Sequence, residues 1–248
     1  MTAHSRYAPP DVDLASLPRA RLEDMRAAAD DMIEVLQEAA DSGRHILVDV
    51  LNAAPEGSEF TEWEHYPPGD VHDKTNGAIW FYHAHARDEG ESRPWDEHGH
   101  FHMFVYTEKL GAGAVPLALP KERDEQKGGL CHLAAVSFDM SGAPMKIFST
   151  NRWVADEWMY SAGDVIGLLD RFKVDNEAHA LTSRWLMAAL RLYRPQIEWA
   201  LKERDRVLAK AREKDPEGFG EDKDIEVLSA IDFDLAGQID AIESVLGD

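Results

Sequence analysis

Residues 79–107 read IWFYHAHARDEGESRPWDEHGHFHMFVYT. Histidine recurs at every second position in both halves of this stretch, at 83 and 85 and again at 98, 100 and 102. A period of two is typical of β-strands, whose side chains point alternately to the two faces of a sheet. The pattern predicts one strand over residues 79–87 and a second over residues 98–107. The polar residues 88–97 are expected to connect them as neighbours in an antiparallel sheet.

Histidines are concentrated in this part of the chain: seven of the eleven lie within residues 65–102. Five of them form the strings HAH (83–85) and HGHFH (98–102), so that each strand presents its imidazoles to one face. In paired strands, residues directly opposite each other are about 5 Å apart. Imidazoles at that spacing can converge on one transition metal. The predicted metal ligands on the two strands are His83, His85, His100 and His102.

Four further residues complete the predicted site. His132, on a third predicted strand, is a fifth histidine ligand. Asp70 follows the turn-forming YPPG (66–69), which would aim its carboxylate at a metal, as in non-haem iron or zinc sites. Arg87 shares the face of the first-strand histidines and can hold a substrate carboxylate or phosphate, or else form a salt bridge. Tyr106 shares the face of the second-strand histidines and can donate a hydrogen bond or relay a radical, or else pack in the core.

The sequence before and after these strands predicts a helix, a loop and a second pair of strands. Apolar residues at alternating steps of three and four indicate an amphipathic helix that begins near Pro18 and ends near Gly43. Residues 52–77, which contain Pro, Gly, Asn and acidic residues, are expected to be a long loop. Residues 130–138 and 144–150 are predicted strands joined by a hairpin.

The last third of the chain is predicted to be helical. Residues 164–172 form a short helix and residues 177–213 a long one, which Pro195 is expected to kink by removing a backbone hydrogen bond. Within residues 225–246 the apolar positions average 3.5 residues per step. This spacing is typical of a helix that packs lengthwise on another helix, either within the chain or across a homodimer.

Together these elements predict an α+β fold, with a small, mainly antiparallel central sheet flanked by an N-terminal helix and long C-terminal helices. The predicted organisation has three parts. Residues 1–15 form a loose leader, and residues 16–175 form an α+β domain that contains the histidine-rich sheet. Residues 176–248 form a helical region that packs on the same domain or on a partner chain.

The composition restricts the partners. The formal net charge of −21 argues against nucleic acid and against an anionic membrane surface, because both require basic residues. No apolar stretch suits a secretory signal or a membrane span, and the single cysteine excludes an intramolecular disulfide. These features predict an acidic cytoplasmic protein that acts on a small molecule.

Three short motifs carry a resemblance to a known family. The strings YHAHAR (82–87), EHGHFH (97–102) and TNRWV (150–154) are similar to those of a bacterial domain-of-unknown-function family. The resemblance covers roughly residues 60–175 and leaves the terminal helices outside. Since that family has no established activity, the resemblance implies that the central region is a unit and implies no reaction type.

The histidine pattern therefore favours a metalloenzyme with a mononuclear or dinuclear non-haem site. A ligand set dominated by nitrogen predicts an iron- or copper-dependent oxidoreductase acting on a small organic substrate, with iron favoured over copper and zinc. One alternative is a zinc-dependent hydrolase or lyase, in which the metal lowers the pKa of a bound water to about 7. Others are a non-catalytic protein that binds a metal or haem, and a protein that binds a partner through its acidic C-terminal region.

Overall fold

The computed structural model describes residues 10, 12–53, 61, 64–84, 95–120 and 129–247. Most of the predicted leader lies outside the described residues, and so do the predicted site residues His85 and Arg87. Within the described residues, one antiparallel sheet has the strand order β1-β2-β3-β4-β5-β6. The strands are β1 (His65–Asp73), β2 (Ala78–Ala84), β3 (Gly99–Tyr106), β4 (Leu130–Phe138), β5 (Pro144–Thr150) and β6 (Val227–Asp232).

Helices precede and follow the strands, so the predicted α+β class is confirmed. They are α1 (Arg19–Asp41), α2 (Val48–Leu51), α3 (Arg152–Ala155), α4 (Ala162–Leu168), α5 (Ala180–Leu192), α6 (Arg194–Lys214) and α7 (Leu235–Leu246). Short 3-10 helices lie at Leu14–Ser16, Thr107–Lys109, Leu169–Arg171, Glu177–His179 and Phe219–Glu221. In the described part of the chain, no helix combines the length and apolar character needed to cross a bilayer.

The two faces of the sheet have different neighbours. On the helix face, side chains such as Trp80 and Phe101 join one large core with α1 and α5, and the Trp80 indole Nε1–H donates to Ser183 Oγ on α5 at 3.0 Å. The opposite face, which we call the histidine face, carries Phe81 and His83 of β2. This division follows from the period of two, because neighbours along a strand point to opposite faces.

A β-bulge between β3 and β4 brings His132 to the histidine face. Met103 pairs with Ala134, but the next residue, Phe104, pairs with His132, so that Leu133 is skipped. In a regular strand, His132 would lie on the same face as Ala134, two residues further along, which is the helix face. The bulge reverses this, and the ring of His132 lies 5.0 Å from that of Phe104 between centroids.

The prediction that residues 52–77 form a loop is wrong for its second half, because His65–Asp73 is the edge strand β1. The register shifts between Tyr66 and Val71, and within that interval Gly69 and Asp70 have φ values of 83° and 57°. This irregularity interrupts the alternation of side chains that would have indicated a strand.

The single helix predicted over residues 225–246 is also wrong. Val227–Asp232 is the strand β6, which pairs with β5, and only Leu235–Leu246 is helical. Leu228 and Ile231 pack in different core clusters because β6 is buried on both faces, and this arrangement imitates helical spacing. The Asp234 carboxylate then begins α7 by accepting a hydrogen bond from Gly237 N–H.

Pro195 separates two helices and does not kink one. Helix α5 ends at Leu192 and α6 begins at Arg194, so that Pro195 occupies the first turn of α6. A backbone N–H in the first turn has no partner within the helix, and proline is tolerated there for that reason. The predictions for α1, β4 and β5 are confirmed, and Gly43, with a φ of 66°, follows the end of α1.

Candidate metal centre

Three of the predicted ligands meet on the histidine face. One ring nitrogen from each of His83, His100 and His102 lies within 4.8 Å of the other two. His83 is directly opposite His100 in the β2–β3 pair, and His102 is two residues further along β3. The backbone register of two adjacent strands therefore fixes the positions of all three imidazoles.

The separation of the two β3 histidines suits ligands of one ion. The Nε2 atoms of His100 and His102 are 2.9 Å apart. For metal–nitrogen bonds of about 2.05 Å, this distance corresponds to an angle of about 90° at the metal. A transition metal can accept two imidazole nitrogens at that angle.

Aromatic side chains surround these imidazoles and exclude water from most of the site. His100 and His102 are only 2% and 1% exposed, whereas His83 is half-buried. The ring of Phe148 lies 5.1 Å from that of His100, and the ring of Phe81 lies 5.3 Å from that of His102. The imidazoles of His100 and His102 are therefore largely removed from solvent.

A buried carboxylate orients His100. Glu97 Oε1 lies 2.8 Å from His100 Nδ1, and the indole of Trp95 donates its Nε1–H to Glu97 Oε2, also at 2.8 Å. A carboxylate is an acceptor only, so His100 donates from Nδ1 and can direct a lone pair from Nε2. A histidine held by a carboxylate in this way is a common arrangement around protein-bound metals.

A fourth histidine contacts His102 on its other nitrogen. His102 Nδ1 lies 3.0 Å from His132 Nε2, and His132 Nδ1 lies 3.5 Å from the Thr150 hydroxyl oxygen. Burial, followed by the charge of Arg204, lowers the pKa of His132 to about 3. His132 therefore stays neutral near pH 7 and is placed to hold a ligand histidine.

A second buried acid lies behind His132. Glu157 Oε2 accepts a hydrogen bond from the backbone N–H of His132 at 3.0 Å, while Oε1 has no hydrogen-bond partner among the described residues. Burial raises the pKa of Glu157 to about 7, against the opposing effects of Arg204 and the His132 N–H. Its side chain is thus able to change charge near neutral pH.

Asp70 contacts His65, and His65 lies between Asp70 and the three clustered imidazoles. Its Oδ1 is 2.9 Å from Nδ1 of His65. The ring of His65 stacks on Phe81 with 3.6 Å between centroids, and it lies 5.8 Å from the ring of His83. The side chain of His65 is 44% exposed, so the cluster reaches the surface on the β1 side.

Tyr106 and His98, which directly precedes β3, have different surroundings. Tyr106, at the end of β3, is half-buried and packs against the cluster of Ile79, Phe81 and Phe104. The prediction that His98 shares a face with His100 and His102 is wrong, because His98 precedes β3 and its Nδ1 lies 2.7 Å from the hydroxyl of Tyr82 on the helix face. Burial raises the pKa of Tyr82, so the hydroxyl keeps its proton near neutral pH. Tyr106 as a catalytic residue stays a prediction.

The third sequence motif, TNRWV (150–154), is mainly structural. Of its five residues, Thr150 is the one with a hydrogen-bond contact to a buried histidine, His132. Asn151 caps α3 through its side chain, Arg152 forms ion pairs with Glu221 and Asp156, and Trp153 donates to the carbonyl of Asp222. This motif therefore fastens the end of β5 to the segment that leads into β6.

From the sequence, Glu97 is only one of several acids that could act as a metal ligand, and Glu157 has no predicted role; the structure places Glu97 on His100. Glu97 had a detectable signal, since it lies three residues before His100 and directly before a strand of alternating histidines. Glu157 had no such signal, because the contact with His132 joins residues 25 positions apart.

A family model described as "Domain of unknown function (DUF6969)" matches residues 26–233. The chain therefore belongs to this family of proteins without an established activity. The match extends well beyond residues 60–175 and includes most of α1 and all of β6. Comparisons with curated proteins and with solved structures found no match.

Proposed function

We propose that this protein is a metalloenzyme whose active site is a mononuclear metal centre held by His83, His100 and His102. The observation that carries the proposal is the approach of three imidazole nitrogens to within 4.8 Å of one another on two paired strands. The Nδ1 atoms of His100 and His102 contact Glu97 and His132, and the Nε2 atoms face each other at 2.9 Å, where one ion could replace their mutual hydrogen bond.

Within the described residues the site has three protein ligands, a number that suits catalysis better than a structural role. Structural zinc sites use four protein ligands, whereas catalytic sites keep at least one coordination position for water or substrate. Because His83 is only half-buried and lies beside the exposed His65, the β1 side offers a route for a small molecule.

The metal and the reaction are assigned from the donor set and its surroundings. Three imidazole nitrogens in an aromatic pocket support iron or copper and an oxidoreductase that acts on a small organic substrate. The rings of Phe81 and Phe148 favour a substrate of low polarity. The metal would supply redox chemistry, while the protein residues orient its ligands and exclude water.

Zinc-dependent hydrolysis or lyase chemistry is the second candidate. The observation that favours it is the composition of the cluster, in which all three residues are histidines. Three histidines form a known catalytic zinc site, where the metal lowers the pKa of a bound water to about 7.

Elemental analysis of protein purified without a histidine tag tests this proposal. We expect stoichiometric metal in the wild-type protein and its loss in His83→Ala and His100→Ala, while the exposed His72 provides a matched control as His72→Ala. Iron or copper with a spin-resonance signal supports the oxidoreductase, and stoichiometric zinc supports the second candidate. Unchanged metal content in both cluster variants would instead favour a partner-binding protein.

The homodimer through the C-terminal helices stays a prediction. Ile242 and Leu246 of α7 are buried within the chain, while Val245 is 36% exposed. Sedimentation of the wild-type protein and of a Val245→Glu variant tests it, since a dimer that uses this face should dissociate in the variant.

A further inference from the structure

The buried part of the histidine face contains a continuous chain of hydrogen-bonding groups. The chain runs from Glu97 to His100 at 2.8 Å, from His100 to His102 at 2.9 Å and from His102 to His132 at 3.0 Å. It ends at the Thr150 hydroxyl, 3.5 Å from His132. Each of the three histidines uses both of its ring nitrogens in this chain.

The Glu97 carboxylate, which can only accept, determines which nitrogen donates in each of these hydrogen bonds. The Glu97 carboxylate accepts from His100 Nδ1–H, so the Nε2 of a neutral His100 is an acceptor. In the absence of an ion, the 2.9 Å contact then requires a proton on His102 Nε2. His102 Nδ1 must in turn accept from His132 Nε2–H.

Metal binding requires the opposite arrangement. An ion shared by His100 and His102 needs the lone pair of His102 Nε2, so the proton of His102 must be on Nδ1. His102 then donates to His132 Nε2, and the proton of His132 is on Nδ1, which faces Thr150.

We propose that Glu97 and His132 are positioning residues of the metal centre, and that metal binding reverses the hydrogen bonds from His102 to Thr150. In this exchange the Nε2 proton of His102 leaves to solvent, the Nε2 proton of His132 passes to His102 Nδ1, and a solvent proton joins His132 Nδ1. Both histidines stay neutral and no net proton is released. The inference rests on the metal site proposed above.

Nitrogen NMR of histidine-labelled protein tests the reversal, with Zn(II) as a diamagnetic probe. We expect His132 to carry its proton on Nε2 in metal-free protein and on Nδ1 after Zn(II) is added. Zn(II) binding with an unchanged His132 tautomer would overturn this inference and leave the proposed metal site intact. Failure of the wild-type protein to bind Zn(II) would overturn both.

Matched variants test the positioning role separately. His132→Phe removes the partner of His102, and we expect about 10- to 100-fold weaker Zn(II) binding, as for other residues that hold metal ligands. His132→Gln keeps an acceptor oxygen and should restore most of the affinity. Glu97→Leu and Glu97→Gln form the equivalent pair for His100.

Circular dichroism identifies any variant that fails to fold. If a variant does not fold, the NMR measurement on wild-type protein still tests whether metal binding changes the tautomer of His132. Wild-type affinity in a folded His132→Phe protein would show that His132 does not position His102. Equal loss of affinity in the Phe and Gln variants would show that the acceptor atom is not what matters, and it would likewise overturn the positioning role.

Discussion

Gly99 of β3 packs against the backbone of His83 on β2, and no side chain fits between them. A Cβ on Gly99 would lie 2.8 Å from both the Cα of Ala84 and the Tyr82 hydroxyl, and closer still to the carbonyl oxygen of His83. The HGH sequence therefore requires glycine at its centre for the His83–His100 pair to form.

The first prediction concerns this contact. Gly99→Ala should lower the free energy of unfolding by about 1–3 kcal/mol, because two of the three neighbours are backbone atoms that cannot easily move away. It should also weaken metal binding by displacing His100 from His83. Urea denaturation and metal competition measure the two effects. In the control variant Gly167→Ala, the added methyl meets nothing within 4 Å, and it should be neutral or stabilising.

The second prediction is that metal stabilises the folded protein. An ion that binds only the native state should add about 2.7 kcal/mol at a free concentration 100 times its dissociation constant. Thermal unfolding with metal and with a chelator measures this difference. The difference should disappear in His102→Ala and persist in His72→Ala; equal stabilisation of both variants would argue against the three-histidine site.

The third prediction concerns pH and Glu157. Its pKa is raised in the folded state to about 7 from 4.5, so the native protein retains a proton that the unfolded chain has released. Stability from this group is therefore complete below about pH 4.5 and declines as the pH rises towards 7, by roughly 3 kcal/mol in total.

Glu157→Gln keeps the acceptor for the His132 N–H and removes the ionisation. We expect the wild-type protein to become progressively less stable than this variant between pH 5 and pH 7. Denaturant titrations of both proteins across that range provide the measurement. A constant difference in their free energies of unfolding would show that the pKa of Glu157 is not raised.

The fourth prediction separates Asp70 from the metal. Because its carboxylate contacts His65, Asp70→Asn should leave metal affinity close to the wild-type value. Asparagine also tolerates the positive φ at this position, so the fold should be preserved. Metal competition measures the affinity, and a large loss of affinity would indicate that Asp70 is a direct ligand.

Much of the architecture was predictable because its signals are local. The three-and-four spacing of α1 and the period of two in β4 and β5 each reflect one face of an element packing against the core. Residues 225–232 were not predictable in this way. Residues 228–231 of β6 are all buried, so no exposed polar residue alternates with the apolar ones to reveal a period of two, and the spacing resembles that of a helix.

Irregular backbone caused the other differences. The edge strand β1 was missed because residues 67–70 lie outside the regular ladder, and proline and glycine in that interval indicate a turn. For His132, the face of the sheet depends on whether Leu133 is bulged. That bulge is a property of the β3–β4 pair, and no pattern within β4 alone specifies it.

The alternating pattern alone places His100 and His102 on one face of a strand, since alternation along a strand is a property of the extended backbone. Three features follow only from the folded sheet: His83 pairs with His100, Glu97 contacts His100, and His132 contacts His102. Strand register, bulges and contacts between distant residues arise from packing of the whole sheet, and so they are fixed when the chain folds.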